Sequence, residues 1–420
     1  AHHARRVLEV AAEDDQLSRG GAAGFLGLAA WARGELETAH RTFAAGLALL
    51  QQAGSSADVV GGTLALAEIR MTQGQLREAA RTYEGALRLA AEQGAPALRG
   101  TADMHVGLAE LHREWGDLDA ATRHLRRAEE QGEHTGFPQH PYRRRIAAAR
   151  LQEAQGDPAG ALALLDEAAR VYVGDFYPEV RPIAALVARV WLTQGRLDDA
   201  EDWARERGLS ADDDLSYLRE YEHLTLARVL LARHARDRAE GTVREALGFL
   251  ARLLDAAEAG GRSGSVIETL ALQALAHRTR GDLPAALASL GRALALAEPE
   301  GYIRLFVDEG PPMADLLEMA ARRGIAPDYP RRLLAAFGGA RERTPAKQDL
   351  VEPLSERERA VLRLLATDLG GPAIAHELLI SLNTLRTHTK NIFGKLGVNN
   401  RRAAVRRAEE LQLLSRTRTG

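Results

Sequence analysis

The chain has 420 residues, 45% hydrophobic and 5% aromatic, with a net charge of −3, which is material for two or three domains or for one long repeat array and a small domain. It contains no cysteine, which excludes disulfides, thiolate metal sites and a cysteine nucleophile and fits a reducing cytoplasm. No run approaches the roughly 18 uncharged apolar residues of a membrane span, and the N-terminus lacks the basic-then-apolar pattern of a signal peptide, so no membrane association is expected.

Residues 4–13, ARRVLEVAAE, read as the last helix of a repeat whose partner is missing, and the chain opens on Ala1 without an initiator methionine. Both point to a fragment of a longer protein. A phrase then recurs: GELETA (34–39), GQLREA (74–79), GDLDAA (116–121), GDPAGA (156–161), GRLDDA (195–200) and GDLPAA (281–286), with a degenerate HARDRA (234–239) filling the gap. The copies start 40, 42, 40, 39, 39 and 47 residues apart. Several continue into one stripe of small and apolar residues, as in Ala79-x3-Tyr83-x2-Ala86 and Ala286-x3-Leu290-x2-Ala293. An antiparallel helix pair explains each part. Gly ends the first helix, the Leu two residues on plugs the turn, and the Ala lets the second helix approach closely. Each pair leaves apolar surface bare, so neighbours must stack on it.

This pattern resembles the tetratricopeptide family, whose second helix carries the same small-and-apolar spacing. The resemblance covers roughly residues 20–298 and predicts seven pairs, with helices longer than usual because the period is nearer 40 than about 34. It implies a superhelix whose concave face holds a peptide, a partner protein or a small molecule. From Pro299 the period is lost, although 313–324 and 330–339 still look helical, and 340–353 is polar with two prolines and no apolar stripe. The predicted plan is an all-α chain: an array over 1–325, a linker region over 326–350, a DNA-binding domain over 351–415 and a tail over 416–420.

Residues 351–420 hold 12 Lys+Arg against 7 Asp+Glu, a balance of +5, while the remaining residues hold 43 against 51, or −8. Ser355 and Glu358 have the spacing of a capping box at the start of a first helix whose stripe is Val361, Leu362, Leu365 and Leu369. Gly370 and Gly371 break the chain and Pro372 suits the first turn of a second helix, with Ile374, Ala375 and Leu378 inward. Ser381 caps a third helix running to Leu396, closed by Gly397 with Val398 in hydrophobic contact. Asn400 caps a fourth, with Ala404, Val405, Ala408, Leu411 and Leu414 apolar. Only a few residues separate helices two and three, the spacing of a helix-turn-helix. Leu385, Ile392 and Leu396 form the inner side of the third helix. Asn383, Arg386, Thr387, Lys390 and Gly394 share the outer face, and no acid occurs from Ser381 to Ala408. A carboxylate there would be repelled by phosphate.

The order and wording of residues 354–414 also resemble the LuxR-type DNA-binding domain, in LSERERAVLRLLA, IAHELLIS, NTLRTHTKNIFGKLGV and NRRAAV. The resemblance implies base contacts from Arg386, Thr387 and Lys390, backbone contacts from Asn383, Thr384, His388 and Lys395, and a dimer on paired half-sites. Three positions depart from it: Pro372 where the family often has Lys, Thr389 at an apolar core position, and Gly394 inside helix three. An array followed by this domain resembles the large ATP-binding LuxR-type regulators of the maltose-regulon activator type, which carry an N-terminal P-loop ATPase. No Lys precedes Lys347, so no Gly-x4-Gly-Lys phosphate loop lies in the array; no cofactor is expected within this chain, and ATP would belong to a missing upstream domain.

The 13 histidines look scattered, none at metalloprotease spacing, and no metal site is expected; nor is a nucleophile-elbow motif present, so no enzymatic role is expected. The reading is a cytoplasmic, sequence-specific DNA-binding transcriptional regulator, expected to activate, with double-stranded DNA and RNA polymerase as partners and an unknown small-molecule or protein ligand on the array. The alternatives are a helical-repeat interaction scaffold and a fragment of an ATP-dependent regulator.

Overall fold

The computed structural model describes the chain except residues 1, 93–97, 175–176, 327, 344–354, 368, 379, 397–400, 402–403, 406–407 and 409–420, and except the side chains of 133, 338–343, 356, 383, 386, 393, 394 and 396. No strand occurs among the described residues. The chain divides into two compact units, Ala1–Arg341 and Glu342–Gly420.

In the first unit a lone helix, α1 (His2–Val10), precedes seven antiparallel pairs: α2 (Gln16–Ala32) with α3 (Leu36–Gln52), α4 (Ser56–Thr72) with α5 (Leu76–Glu92), α6 (Thr101–Glu114) with α7 (Leu118–Thr135), and α8 (His140–Ala154) with α9 (Pro158–Arg170). Then come α10 (Ile183–Thr193) with α11 (Leu197–Glu206), α12 (Glu220–Asp237) with α13 (Glu240–Ala259), and α14 (Ser263–Thr279) with α15 (Leu283–Ala297). The recurring phrase is the turn of each pair. Its glycines, from Gly34 to Gly281, sit at φ between 73° and 87°, a region that side chains disfavour. Its alanines, Ala39, Ala79, Ala121, Ala161, Ala200 and Ala286, are all fully buried. Where Asp follows the Gly, it caps the second helix: Asp117, Asp157 and Asp282 each accept a backbone N–H three residues on, at 2.9–3.1 Å.

The degenerate copy is the exception, and its expected place at His234 is corrected. Without a Gly there, α12 runs one turn further, to Asp237, and Arg238 takes the left-handed turn at φ 56°. The seat that other copies give to Ala passes from the exposed Ala239 to the fully buried Val243. Measured from Arg238, the spacings of 39 and 47 residues become 43 and 43. The repeat is regular; only its phrase was lost.

The pairs wind until the seventh meets the second. Gly74, in the second turn, faces Ser263 at the start of α14 so closely that a Cβ there would lie 2.9 Å from the serine Cβ. Trp31 of α2 donates its indole N–H to the Tyr217 hydroxyl at 2.8 Å, across 186 residues of sequence. The array is followed by α16 (Arg304–Val307), α17 (Pro311–Arg322) and α18 (Asp328–Arg343). Much of the region expected as linker, 326–350, is therefore helix, and Tyr329 and Leu333 of α18 are buried in the same core as the repeats. Residues 344–350 lie outside the described part.

The second unit contains α19 (Glu356–Leu365), α20 (Gly371–Glu377) and α21 (Leu382–Leu396), with residues 401, 404, 405 and 408 also helical. Val361, Leu362, Leu365, Ile374, Ala375, Leu385, Ile392, Ala404 and Ala408 make one buried core. The expected stripe loses one member: Leu369 is 38% exposed, because α19 ends at Leu365. The expected roles of Leu396, Gly397, Val398, Asn400, Leu411 and Leu414 fall outside the described residues or side chains.

Candidate functional site

Helix α21 starts as its sequence predicts. Ser381 Oγ accepts the Thr384 N–H at 3.1 Å and lies 2.8 Å from the Thr384 hydroxyl, so Thr384 belongs to the cap as well as to the outer face. The capping box of α19 is complete: Ser355 Oγ accepts the Glu358 N–H at 3.2 Å, and Glu358 Oε2 accepts the Ser355 N–H at 2.8 Å. Pro372 occupies the first turn of α20. Thr389, the polar residue at an apolar position, donates its hydroxyl to the Leu385 carbonyl at 2.8 Å, which satisfies it without a core partner. The helix runs unbroken through Gly394.

Of the seven positions read as DNA contacts, Thr384, Thr387 and Lys390 have exposed side chains and His388 is half-buried. Asn383 and Arg386 lie on the same helix, with side chains outside the described part. Lys395 differs. Its ammonium lies 3.0 Å from Glu358 Oε2, and the two side chains are 20% and 5% exposed. Burial pushes the Glu358 carboxyl up, but the Ser355 N–H and Lys395 outweigh it and hold the group below its ordinary value. Helical geometry alone gave no signal, since at about 100° per residue position 395 lies within about 20° of positions 384 and 388. Arg401, a second residue of the acid-free stretch, donates to the carbonyls of Leu365 and Leu369 at 2.9 and 2.8 Å and to that of Thr367.

The first unit holds a partly open cavity of about 310 Å³, lined largely by the first helices of successive pairs. Its wall is charged. Glu268 Oε1 lies 2.9 Å from Arg189 and 2.7 Å from Arg228. Burial pushes this carboxyl up, but the two guanidinium groups outweigh it and hold it down to about 2. Arg150 pairs with Glu110, and burial together with the neighbouring Arg181 brings its pKa down to about 10. The segment after the array closes one side: Arg228 also binds Glu309, and Arg113 lies 3.1 Å from Asp308. Glu110 Oε1, Arg189 Nη2 and Arg304 Nε, on three residues of this lining, are buried without a hydrogen-bond partner in the structure. Buried polar atoms are rarely left so, which makes the cavity a place for a polar guest or for water.

Sequence reading missed one cluster. His105, His112 and His124 come together across α6 and α7: the Nδ1 atoms of His105 and His124 are 3.0 Å apart and the rings of His112 and His124 stack. The signal was present as His105 and His112 seven apart on one face, but their meeting with α7 needed the pair geometry. Among the described residues, no group of three or more side chains is disposed to hold a metal ion. No described helix is long and apolar enough to cross a membrane.

Comparisons with known proteins follow the same division. The MalT-like TPR region matches residues 1–323, and the luxR family of bacterial regulatory proteins matches residues 352–408. The chain is 32% identical over 163 residues to the HTH-type transcriptional regulator MalT of Vibrio cholerae, covering 34% of this chain and 18% of that protein. It is 27% identical over 372 residues to the HTH-type transcriptional regulator MalT of Yersinia pestis, covering 82% of this chain and 40% of that protein. The chain thus spans two fifths or less of these relatives. Among solved structures, a monomeric mutant of IFIT1 aligns over 84% of this chain and 85% of its own, at 15% identity and a TM-score of 0.29. The matches over 1–323 and 352–408 cover both units, and the chain belongs to the family of the MalT-like TPR region, joined here to a luxR-family regulatory domain.

Proposed function

We propose that this chain is a sequence-specific DNA-binding transcriptional regulator, acting as an activator, whose C-terminal domain lays α21 in the major groove. The observation that carries this reading is a capped recognition helix with Thr387 and Lys390 exposed, in a stretch from 381 to 408 without one acid, inside a luxR-family domain. Arg386, Thr387 and Lys390 are assigned to base edges; Asn383, Thr384 and His388 are assigned to the backbone. A homodimer on paired half-sites and contact with RNA polymerase complete the reading, in the cytoplasm. Fluorescence anisotropy with duplexes from the region flanking its own gene tests it, across a salt series. Sequence-specific binding that falls steeply with salt supports it. Equal affinity for every duplex sinks it and leaves the scaffold reading.

The array is the receiving part, and its cavity is the site we assign to the ligand. About 310 Å³ suits a small molecule. Its lining carries both charge signs, Glu110 and Glu268 beside Arg189 and Arg228, which suits a polar ligand. Thermal-shift screening of the intact chain against small polar metabolites tests this. A hit that persists in the Arg189→Met variant rules the cavity out as its site.

A further inference from the structure

Helix α19 is gripped at both ends by residues of the acid-free stretch. At its first turn, Glu358 is held by Lys395 at 3.0 Å and by the Ser355 N–H at 2.8 Å. At its last turn, Arg401 donates to three carbonyls, those of Leu365, Thr367 and Leu369. Those carbonyls belong to the end of a helix and the turn beyond it, where acceptors lack intrahelical donors and a cation is favoured. The two gripping residues are six apart in sequence and flank the end of α21 at Leu396.

We propose that Lys395 and Arg401 are positioning residues: they fix the C-terminal end of the recognition helix to α19 and thereby set how its reading half meets DNA. They contact no phosphate. The proposal rests on the reading that this domain binds DNA. Position 395 is five residues from Lys390 and nine from Arg386, about 8 to 14 Å along the axis, so the far end of a stiff rod is being held. A small rotation there displaces the reading residues by more than a hydrogen bond tolerates. The burial of both partners agrees, since a phosphate contact would have to break a pair whose carboxylate is only 5% exposed.

The test uses the intact chain, a selected duplex from the region flanking its own gene, and a random duplex of equal length. The variants are E358Q, K395M and R401K. Gln keeps the capping box but removes the charge that holds Lys395. If Lys395 is a positioning residue, E358Q and K395M each lower affinity for the selected duplex roughly tenfold while the random duplex changes little. The salt slope stays as in the parent, and the double variant is no worse than either single one. R401K behaves like K395M, because one ammonium cannot serve three carbonyls held by a fork. Three results overturn the proposal: tighter binding by E358Q, which would mean that Lys395 had been released to phosphate; a slope reduced by about 1 in K395M; or equal losses on both duplexes. Hydrogen exchange in α21 is read in parallel without DNA. Faster exchange in E358Q and K395M is expected, and unchanged exchange overturns the proposal even if the parent binds no duplex, a result that would separately sink the DNA reading.

Discussion

The two units use their basic residues in opposite ways. In the array, a set of inward arginines is matched by carboxylates: Arg189 and Arg228 share Glu268, Arg228 also takes Glu309, and Arg113 takes Asp308. In the C-terminal domain the stretch from 381 to 408 offers no carboxylate at all. Among the described basic residues there, Lys395 and Arg401 brace α19 and Lys390 is exposed. Pairing makes charge structural; the absence of a partner keeps it available for a polyanion. The lesson is that net charge per domain says less than where each charge finds its partner.

The sharpest break in this comparison is Glu268→Ala. It leaves Arg189 and Arg228 facing one another, all three side chains being 16–17% exposed. Removing one partner of such a group costs about 3–5 kcal/mol. Urea unfolding of the variant is expected to show that loss; a change within about 0.5 kcal/mol would mean that the network is solvated.

The counterpart in the other unit is Lys390→Ala. The side chain is exposed, so stability should move by less than about 0.5 kcal/mol. DNA affinity should fall by about 1–3 kcal/mol if it reads a base. Anisotropy and urea unfolding on the same sample check the two halves. A variant that loses stability without losing affinity reverses the assignment.

A third test concerns histidines rather than arginines. Burial lowers His105 to about 4, with Arg127 adding to it; burial, then His105, His112 and Arg127, lower His124 to about 4. Unfolded histidines titrate near 6.5, so below that pH the unfolded chain takes up protons that the folded array refuses. Stability is full above pH 6.5, declines as pH falls toward 4 and then levels. The pair should account for a loss on the order of 2 kcal/mol after solvent screening. Melting curves of the parent and of a His105→Gln, His124→Gln variant between pH 7 and 4 check this, the variant showing the flatter profile.

Much of the fold was legible because its physics is local. A Gly at positive φ, an Ala that must be fully buried and an Asp that caps each leave a mark at fixed spacing, so six of the seven turns could be read directly. The capping box and the Ser381 cap were legible for the same reason. The charged cavity was not, since Glu268, Arg228 and Glu309 meet only when distant pairs are wound together. The pairing of Lys395 was hidden by a related gap: its partner lies 37 residues away, on another helix.

The sixth pair offers the smallest and most local test. Its turn falls on Arg238 at φ 56°, a conformation that costs a side-chain-bearing residue on the order of 1 kcal/mol or more. Arg238 is exposed, so little packing is lost with its side chain. Arg238→Gly removes the strain but loosens the unfolded chain, an entropic cost of roughly 0.5–1 kcal/mol. The balance favours a gain of about 0.5 kcal/mol, visible as a small rise in the urea midpoint with an unchanged slope. The sign is what matters. If Gly at 238 destabilises the array, the turn is not there, and the copy belongs at His234 with its uneven spacings of 39 and 47 residues. If it stabilises, the array repeats at 43 residues on both sides of a turn whose glycine has been replaced, and regular winding, not the phrase, defines the repeat.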